Sequence, residues 1–312
     1  MDFLETGKIR RFFRATKKIK TAKLISHITQ RAAGKEPLFI EDNDYLFFLW
    51  LLKKISETHN LTFLAFCLMP NHIHLLLQPK EENLYDAMRD MYSRYALRFN
   101  KKYERKGHLF GAPYRQAICL DDAYLLAASL YIHKNPVAAG ICSHPLNYRW
   151  SSVKLYCESS PPVSFVKPGF ILKLLPLPES DASARYLELL EKGLDIPIEQ
   201  VSEQGDAVER FQHKLRKVFP SIFKELDRQK HTIQSSGIEL LDSNALQEEI
   251  ANFKKNKLSR SPESRKAKKY LIEQLIARGF KRYEIAKKLD VSSKTIYNIL
   301  NSTTKSSPNS IQ

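Results

Sequence analysis

Between Leu61 and Gln78 the chain holds two nearly unbroken apolar runs, Leu61–Leu68 and His72–Gln78, separated by a tight connection at Pro70-Asn71. Short apolar runs bounded by a turn read as neighbouring strands, and a connection this short suits antiparallel pairing. The second run opens with His72-Ile73-His74. Alternate side chains of a strand share one face, so both imidazoles project the same way while Ile73 enters the opposite layer. Two neutral imidazoles on one rigid strand make half of a divalent-metal site. Histidines two apart also occur as ordinary hydrogen-bonded residues at a sheet edge, so the pair needs a chemical partner elsewhere in the chain.

Such a partner stands downstream. The segment Asp121-Asp122 through Gly140 opens with acidic N-cap residues and continues in good helix formers. Tyr131 and Asn135 are four apart and therefore share a helix face. Pro136 restricts Asn135 and is expected to end the regular helix there. A phenol can attack phosphorus and leave a covalent phosphotyrosine; an amide oxygen can complete a site for a hard cation. Alone, the segment fits a core tyrosine followed by a C-capping asparagine equally well. Together, the two segments favour the chemical reading.

At this point the sequence resembles a family. Met69-Pro70-Asn71-His72-Ile73-His74-Leu75-Leu76, followed by Tyr131-Ile132 and Asn135-Pro136-Val137 with Gly140, is similar to the single-tyrosine HUH transposases, and within them to the REP-associated tyrosine transposases. Tyr95 to Tyr103, Gly107 to Phe110 and Trp150-Ser151-Ser152 share the likeness, which runs from roughly residue 24 to residue 156. The resemblance implies that His72, His74 and Asn135 are metal ligands and Tyr131 the nucleophile. It departs from the family at Pro113, where members often carry arginine, and at His133, where they often carry glutamate. The first puts one DNA-backbone contact in doubt; the second is expected to alter only the surface.

The implied reaction is cleavage and rejoining of single-stranded or palindromic hairpin DNA, with Mg2+ or Mn2+ polarising the scissile phosphate. Tyr131 would leave a 5′-phosphotyrosine and a free 3′-hydroxyl, and reversal would reseal the strand without ATP. A phenol ionises at about pH 10 in water, so its deprotonation needs assistance. There is no glycine-rich Walker pattern. One tyrosine holds one strand end at a time, so complete excision needs two cleavages, which is compatible with a homodimer.

A formal net charge of +16 over 312 residues favours a polyanionic partner. A membrane surface is the rival explanation, but the longest apolar stretch, Tyr45–Leu52, is too short to span a bilayer and runs into Lys53-Lys54. The basic N-terminus lacks an apolar segment of signal type. Cys67, Cys119, Cys142 and Cys157 show no Cys-x-x-Cys spacing and read as reduced thiols of a cytoplasmic protein.

Along the chain, Lys8 to Lys23 reads either as a phosphate-touching arm or as a solvated tail. Leu24–Gln30 reads as a strand, Tyr45 to His59 as a helix, Asn83 to Tyr103 as a long helix and Tyr114–Leu120 as a further strand. The long helix carries Arg94, Arg98 and Lys101, which with Arg115 are candidate DNA contacts. This order suggests an α+β fold with an antiparallel sheet and packed helices; the resemblance implies a ferredoxin-like variant. Residues 1–157 are expected to form the catalytic domain. Residues 158–260 would be a helical middle region and linker, 261–304 a helix-turn-helix and 305–312 a tail.

The helix-turn-helix rests on Ile285-Ala286, Leu289, Val291-Ser292, Thr295-Ile296 and Ile299-Leu300. Their spacing gives two short helices with a shared apolar seam, and Asp290 stands where a turn glycine is usual. Ser293, Lys294, Thr295 and Asn298 are candidates for the major groove. A helical dimerisation module would use the same core, though the many lysines around it argue for DNA. Two other functions compete with a strand transferase: a non-catalytic DNA-binding regulator on the same scaffold, and a metal hydrolase. The hydrolase is weakest, because the further histidines and aspartate it needs are missing from the pattern.

Overall fold

A computed structural model describes residues 12–13, 22–34, 36–119, 121–158, 160–175, 181–198, 207–228, 243–255, 261–277 and 282–301. The chain divides into two compact units: one from Phe12 to Glu239, the other including the C-terminal residues from Leu240 onward.

The larger unit is α+β. Its strands are β1 (Phe12–Phe13), β2 (Ser26–Arg31), β3 (Leu61–Met69), β4 (His72–Pro79) and β5 (Arg115–Ile118), in the order β1-β5-β2-β4-β3. All pairings are antiparallel, and leaving out the two-residue β1 this is the ferredoxin-like strand order. Of the arm Lys8–Lys23, only Phe12–Phe13 and residues 22–23 lie within the described residues.

Helix α1 (Asp42–Thr58) crosses from β2 to β3, and α2 (Leu84–Lys102) from β4 to β5. Both show the 3.6-residue period in what they bury: Tyr45, Phe48, Leu51, Leu52 and Ile55 on α1, and Met88, Met91, Tyr92, Tyr95 and Phe99 on α2. The two pack together, with Phe48 edge-on to Tyr95 at 5.0 Å between ring centroids. Removing such side chains from water stabilises the fold by roughly 1.5–3 kcal/mol each.

Helix α3 (Asp122–Ala138) lies against β3 and β4, opposite the α1–α2 layer. Asp121 Oδ1 caps it, accepting from the Tyr124 amide at 2.6 Å. Its residues from Asp122 to Pro136 are all buried, so it is a central element rather than an amphipathic surface helix. The stop expected at Pro136 does not occur. Proline removes one N–H but keeps a helical φ, and the helix runs on to Ala138, ending before Gly140 at φ +68°.

The exposed edge of β3 is closed by the chain after α3. Tyr156 and Tyr148 hydroxyls donate to the Leu64 and Leu68 carbonyls, each at 2.6 Å, and the Ser152 amide donates to the Phe66 carbonyl at 3.0 Å. Those groups blunt an edge that would otherwise pair with another chain.

The boundary expected at residue 157 does not coincide with a break in packing. Helices α4 (Lys154–Cys157), α5 (Gly169–Leu172), α6 (Ala182–Lys192), α7 (Ala207–Val218) and α8 (Pro220–Arg228) continue the same core. Tyr186, Leu189, Phe211, Leu215 and Phe223 all join it. The reason is α3, whose outer side is as apolar as its inner one and needs cover.

The C-terminal unit contains α9 (Ser243–Lys255), α10 (Pro262–Ala277), α11 (Arg282–Leu289) and α12 (Ser293–Asn301). Helix α9, expected in a linker, gives Leu246, Ile250 and Phe253 to a core shared with Leu271, Ile272, Leu275, Ile285, Leu289, Ile296 and Ile299. Between α11 and α12, Asp290 takes the left-handed conformation at φ +50°, which short polar side chains tolerate. The tail 305–312 lies outside the described residues.

Candidate active site

The site is assembled where β2, β4 and α3 meet. In the β2–β4 register Thr29 pairs with His74 and Arg31 with His72, so these side chains share a face. Tyr131 and Asn135 come from α3, which lies on that face. The His74 and Tyr131 rings stand edge to face at 5.8 Å, and the His72 and His74 rings at 5.0 Å. The two sequence segments therefore converge.

Hydrogen bonds orient each group. His72 Nδ1 lies 2.7 Å from Asn71 Oδ1, and His74 Nδ1 lies 3.0 Å from His27 Nε2 and 3.4 Å from Thr29 Oγ1. The Asn135 amide nitrogen donates to the Tyr131 carbonyl at 2.7 Å, which turns its oxygen the other way. What is left over is informative. His72 Nε2, His74 Nε2 and Asn135 Oδ1 are buried and have no hydrogen-bond partner. Buried polar atoms without partners are rare and ask for an explanation.

The electrostatics agree. Burial pushes His72 down to about 4, with the Arg31 charge adding to the effect. Burial also holds His74 well below the usual imidazole range, helped by His72, His27 and Arg31. The Asn135 side chain pulls both rings the other way, close enough to act as a hydrogen-bonding group though without the geometry of a formed bond. Both imidazoles are thus neutral at physiological pH, the form that ligates metals. Two imidazole nitrogens and an amide oxygen suit a divalent cation, and the orphaned atoms fit that role. Among the described residues no group of three His, Cys, Asp or Glu side chains could hold a metal; the third orphaned atom here belongs to an amide.

The structure sorts the other sequence candidates. Arg115 on β5 pairs with Thr29, so it lies in the same cross-strand row as His74. Arg94, Arg98 and Lys101 lie on α2, in the layer across the sheet from Tyr131. Arg94 pairs with Asp90 at 2.6 Å and Arg98 lies over the Phe47 ring at 4.1 Å. In the C-terminal unit, Ser293, Lys294 and Asn298 are exposed on α12. Thr295 is half-buried; its hydroxyl lies 2.9 Å from Ser292 Oγ, which also caps the Thr295 amide at 3.0 Å. Tyr297, 52% exposed, sits on the outer face beside Asn298 instead.

One expectation changes. His133 is fully buried, not on the surface: its Nδ1 lies 2.8 Å from Tyr186 Oη and its Nε2 2.8 Å from Ser152 Oγ. It ties α3 to α6 and to the β3 edge. Sequence reasoning also missed His27, Thr29 and Arg31. The signal was their alternation along β2, which becomes meaningful only once the register with β4 is known.

Residues 20–135 match the family model described as "Transposase IS200 like", a span that holds His27, His72, His74 and Tyr131 and ends at Asn135. A solved structure titled "Structure of the REP associates tyrosine transposase bound to a REP hairpin" is similar over 42% of this chain and 78% of that one, at 13% identity and a TM-score of 0.38. Among curated proteins none matches.

Proposed function

We propose, from the premise that residues 20–135 are an IS200-like transposase domain, that this transposase cuts and rejoins single-stranded or hairpin DNA through Tyr131. The observation that carries this reading is the convergence of three partnerless buried donors beside the Tyr131 ring.

His72 Nε2, His74 Nε2 and Asn135 Oδ1 would hold the cation, magnesium or manganese. When bound, it supplies charge to a nonbridging phosphate oxygen and so favours attack at phosphorus. Tyr131 Oη then forms a bond to phosphorus, the bond to the 3′ oxygen breaks, and that oxygen leaves with a proton as a 3′-hydroxyl. The product is a 5′-phosphotyrosine whose bond energy is kept for resealing. Arg31 and Arg115, on the same sheet face, would attract the flanking phosphates. The enclosed walls around Tyr131 would shield the ester from water, limiting hydrolysis in favour of rejoining.

The C-terminal unit fits a helix-turn-helix for duplex DNA. Its own apolar core, the left-handed Asp290 turn and the exposed row Ser293, Lys294, Tyr297 and Asn298 support that reading.

The test is denaturing electrophoresis of protein incubated with a labelled hairpin and Mn2+. Wild type should give a denaturation-resistant adduct, and Tyr131→Phe none, with hairpin binding retained. An unchanged adduct in that variant removes Tyr131 as nucleophile. A folded, hairpin-binding wild type that never nicks would favour the non-catalytic regulator.

A further inference from the structure

β2 brings a third imidazole to the site. The His27 and His74 rings stack at 5.2 Å with 25° between their planes, and His27 Nε2 lies 3.0 Å from His74 Nδ1. Both rings are buried, and at 3.0 Å a single hydrogen stands between the two facing nitrogens, so one ring donates and the other accepts.

Each neutral ring carries one hydrogen, so the contact has two possible senses. In the first, His74 Nδ1–H donates to His27 Nε2 and the lone pair of His74 stands on Nε2. In the second, His27 Nε2–H donates to His74 Nδ1, and the hydrogen of His74 must then sit on Nε2. A hydrogen there would be received by the Asn135 side chain, taking up an oxygen that the cation would need. It would also block coordination. His72 offers an internal comparison: its Nδ1 faces Asn71 Oδ1, which can only accept, so its lone pair also falls on Nε2. The first sense makes the two rings equivalent.

We propose that His27 is a positioning residue that accepts the His74 Nδ1 hydrogen and so holds His74 as the tautomer with a bare Nε2 lone pair facing the cation. The inference rests on the reading of His72, His74 and Asn135 as the cation ligands. Thr29 Oγ1, at 3.4 Å from the same nitrogen, is the weaker second acceptor. His27 Nε2 is taken up by His74 Nδ1, which distinguishes it from a fourth ligand. Such outer partners fix both the tautomer and the orientation of a ligating imidazole, and losing one typically costs 10- to 100-fold in metal affinity.

The experiment uses the full chain and needs no turnover. Nitrogen-15 histidine spectra of metal-free wild type report the His74 tautomer directly, with a His74→Gln sample to assign the signals. Mn2+ binding is then measured by electron paramagnetic resonance of the free ion. The expected results are an Nδ1–H tautomer for His74 and a roughly 10- to 100-fold weaker Mn2+ affinity in His27→Phe. Recovery is expected in His27→Gln, whose amide oxygen can accept the same hydrogen, and metal-free hairpin binding should stay unchanged in the two His27 variants. An Nε2–H tautomer in wild type overturns the proposal, as does wild-type affinity in a folded His27→Phe. The tautomer measurement decides even if that variant fails to fold. If wild type binds no Mn2+ while His74 is the Nδ1–H tautomer, the ligand assignment itself fails, and the proposal with it.

Discussion

Phe211 of α7 stands edge-on to Tyr131 of α3, their ring centroids 6.1 Å apart, and Tyr131 is only 1% exposed. Val208, Phe211 and Leu215 form the buried face of α7, so this helix roofs the helix that carries the proposed nucleophile. A phosphodiester cannot reach a phenol in that state without displacing part of the roof. Phe211→Ala should therefore speed adduct formation at limiting hairpin by roughly tenfold, equivalent to about 1.4 kcal/mol off the barrier. The same change should cost about 3–5 kcal/mol of stability, as loss of a buried phenyl ring does. Single-turnover adduct kinetics beside a denaturant titration would check both. Slower adduct formation in the folded variant would mean that Phe211 aligns Tyr131 rather than covering it.

The histidines predict an acid-sensitive fold. Burial pushes His27 and His72 down to about 4 and His133 to about 3, and holds His74 well below the ordinary imidazole value. Unfolding returns each to about 6.5. Between about pH 4 and 6.5 the unfolded chain therefore binds protons that the folded chain refuses. Stability rises with pH across that window and is lost as pH falls through it. Each refused proton contributes about 1.4 kcal/mol per pH unit. Denaturation midpoints of metal-free protein should fall steadily on acidification from about pH 7 to about pH 4. A flat profile would show that these rings titrate normally in the fold.

The strand pair and the shared face of His72 and His74 were legible because period two is a local property. Tyr131 and Asn135 were legible for the same reason at helical spacing. Residues whose meaning depends on partners distant in sequence were not. His27 acquires its place only through the register that sets Thr29 against His74. His133 looked like a surface variation, yet it meets Tyr186 from a segment with no chemical signature of its own. Pro136 was read by its local preference, which the packing of α3 on all sides overrides. Thr295 was legible by its place on the helix but not by its tie to Ser292, and Tyr297, exposed on the same helix, carried no signal of its own.

Lys134 gives a stability test of the join between α3 and the later helices. Its ammonium is buried and donates to the carbonyls of Gly193, Leu194 and Ile196, the turn that follows α6. Three donors meet three acceptors, so the charge is hydrogen-bonded although burial lowers the group to about 8. Lys134→Met keeps much of the aliphatic stem and strands three carbonyls. It should destabilise the larger unit by roughly 2–3 kcal/mol, the cost of losing bonds to a charged donor. A denaturation midpoint within error of wild type would mean that water replaces the ammonium and that the join is looser than its bonds suggest.

The outer row of α12 separates duplex binding from strand cleavage. Lys294, Tyr297 and Asn298 are exposed, while Ile296 and Ile299 hold the helix to its core. Changing the exposed residues should therefore leave the fold intact. Asn298→Ala should weaken the preferred duplex by about 1–3 kcal/mol if the amide reads a base edge, and leave non-specific duplex binding nearly unchanged. Lys294→Ala should weaken all duplexes alike and lower the slope of log affinity against log salt by about one unit, as expected for one lost phosphate contact. Adduct formation by Tyr131 on an isolated hairpin should be unaffected by either change. Equal loss on hairpin and duplex would mean that both DNA forms use α12, and a specificity loss from Thr295→Ala larger than from Asn298→Ala would reverse the assignment of its outer face.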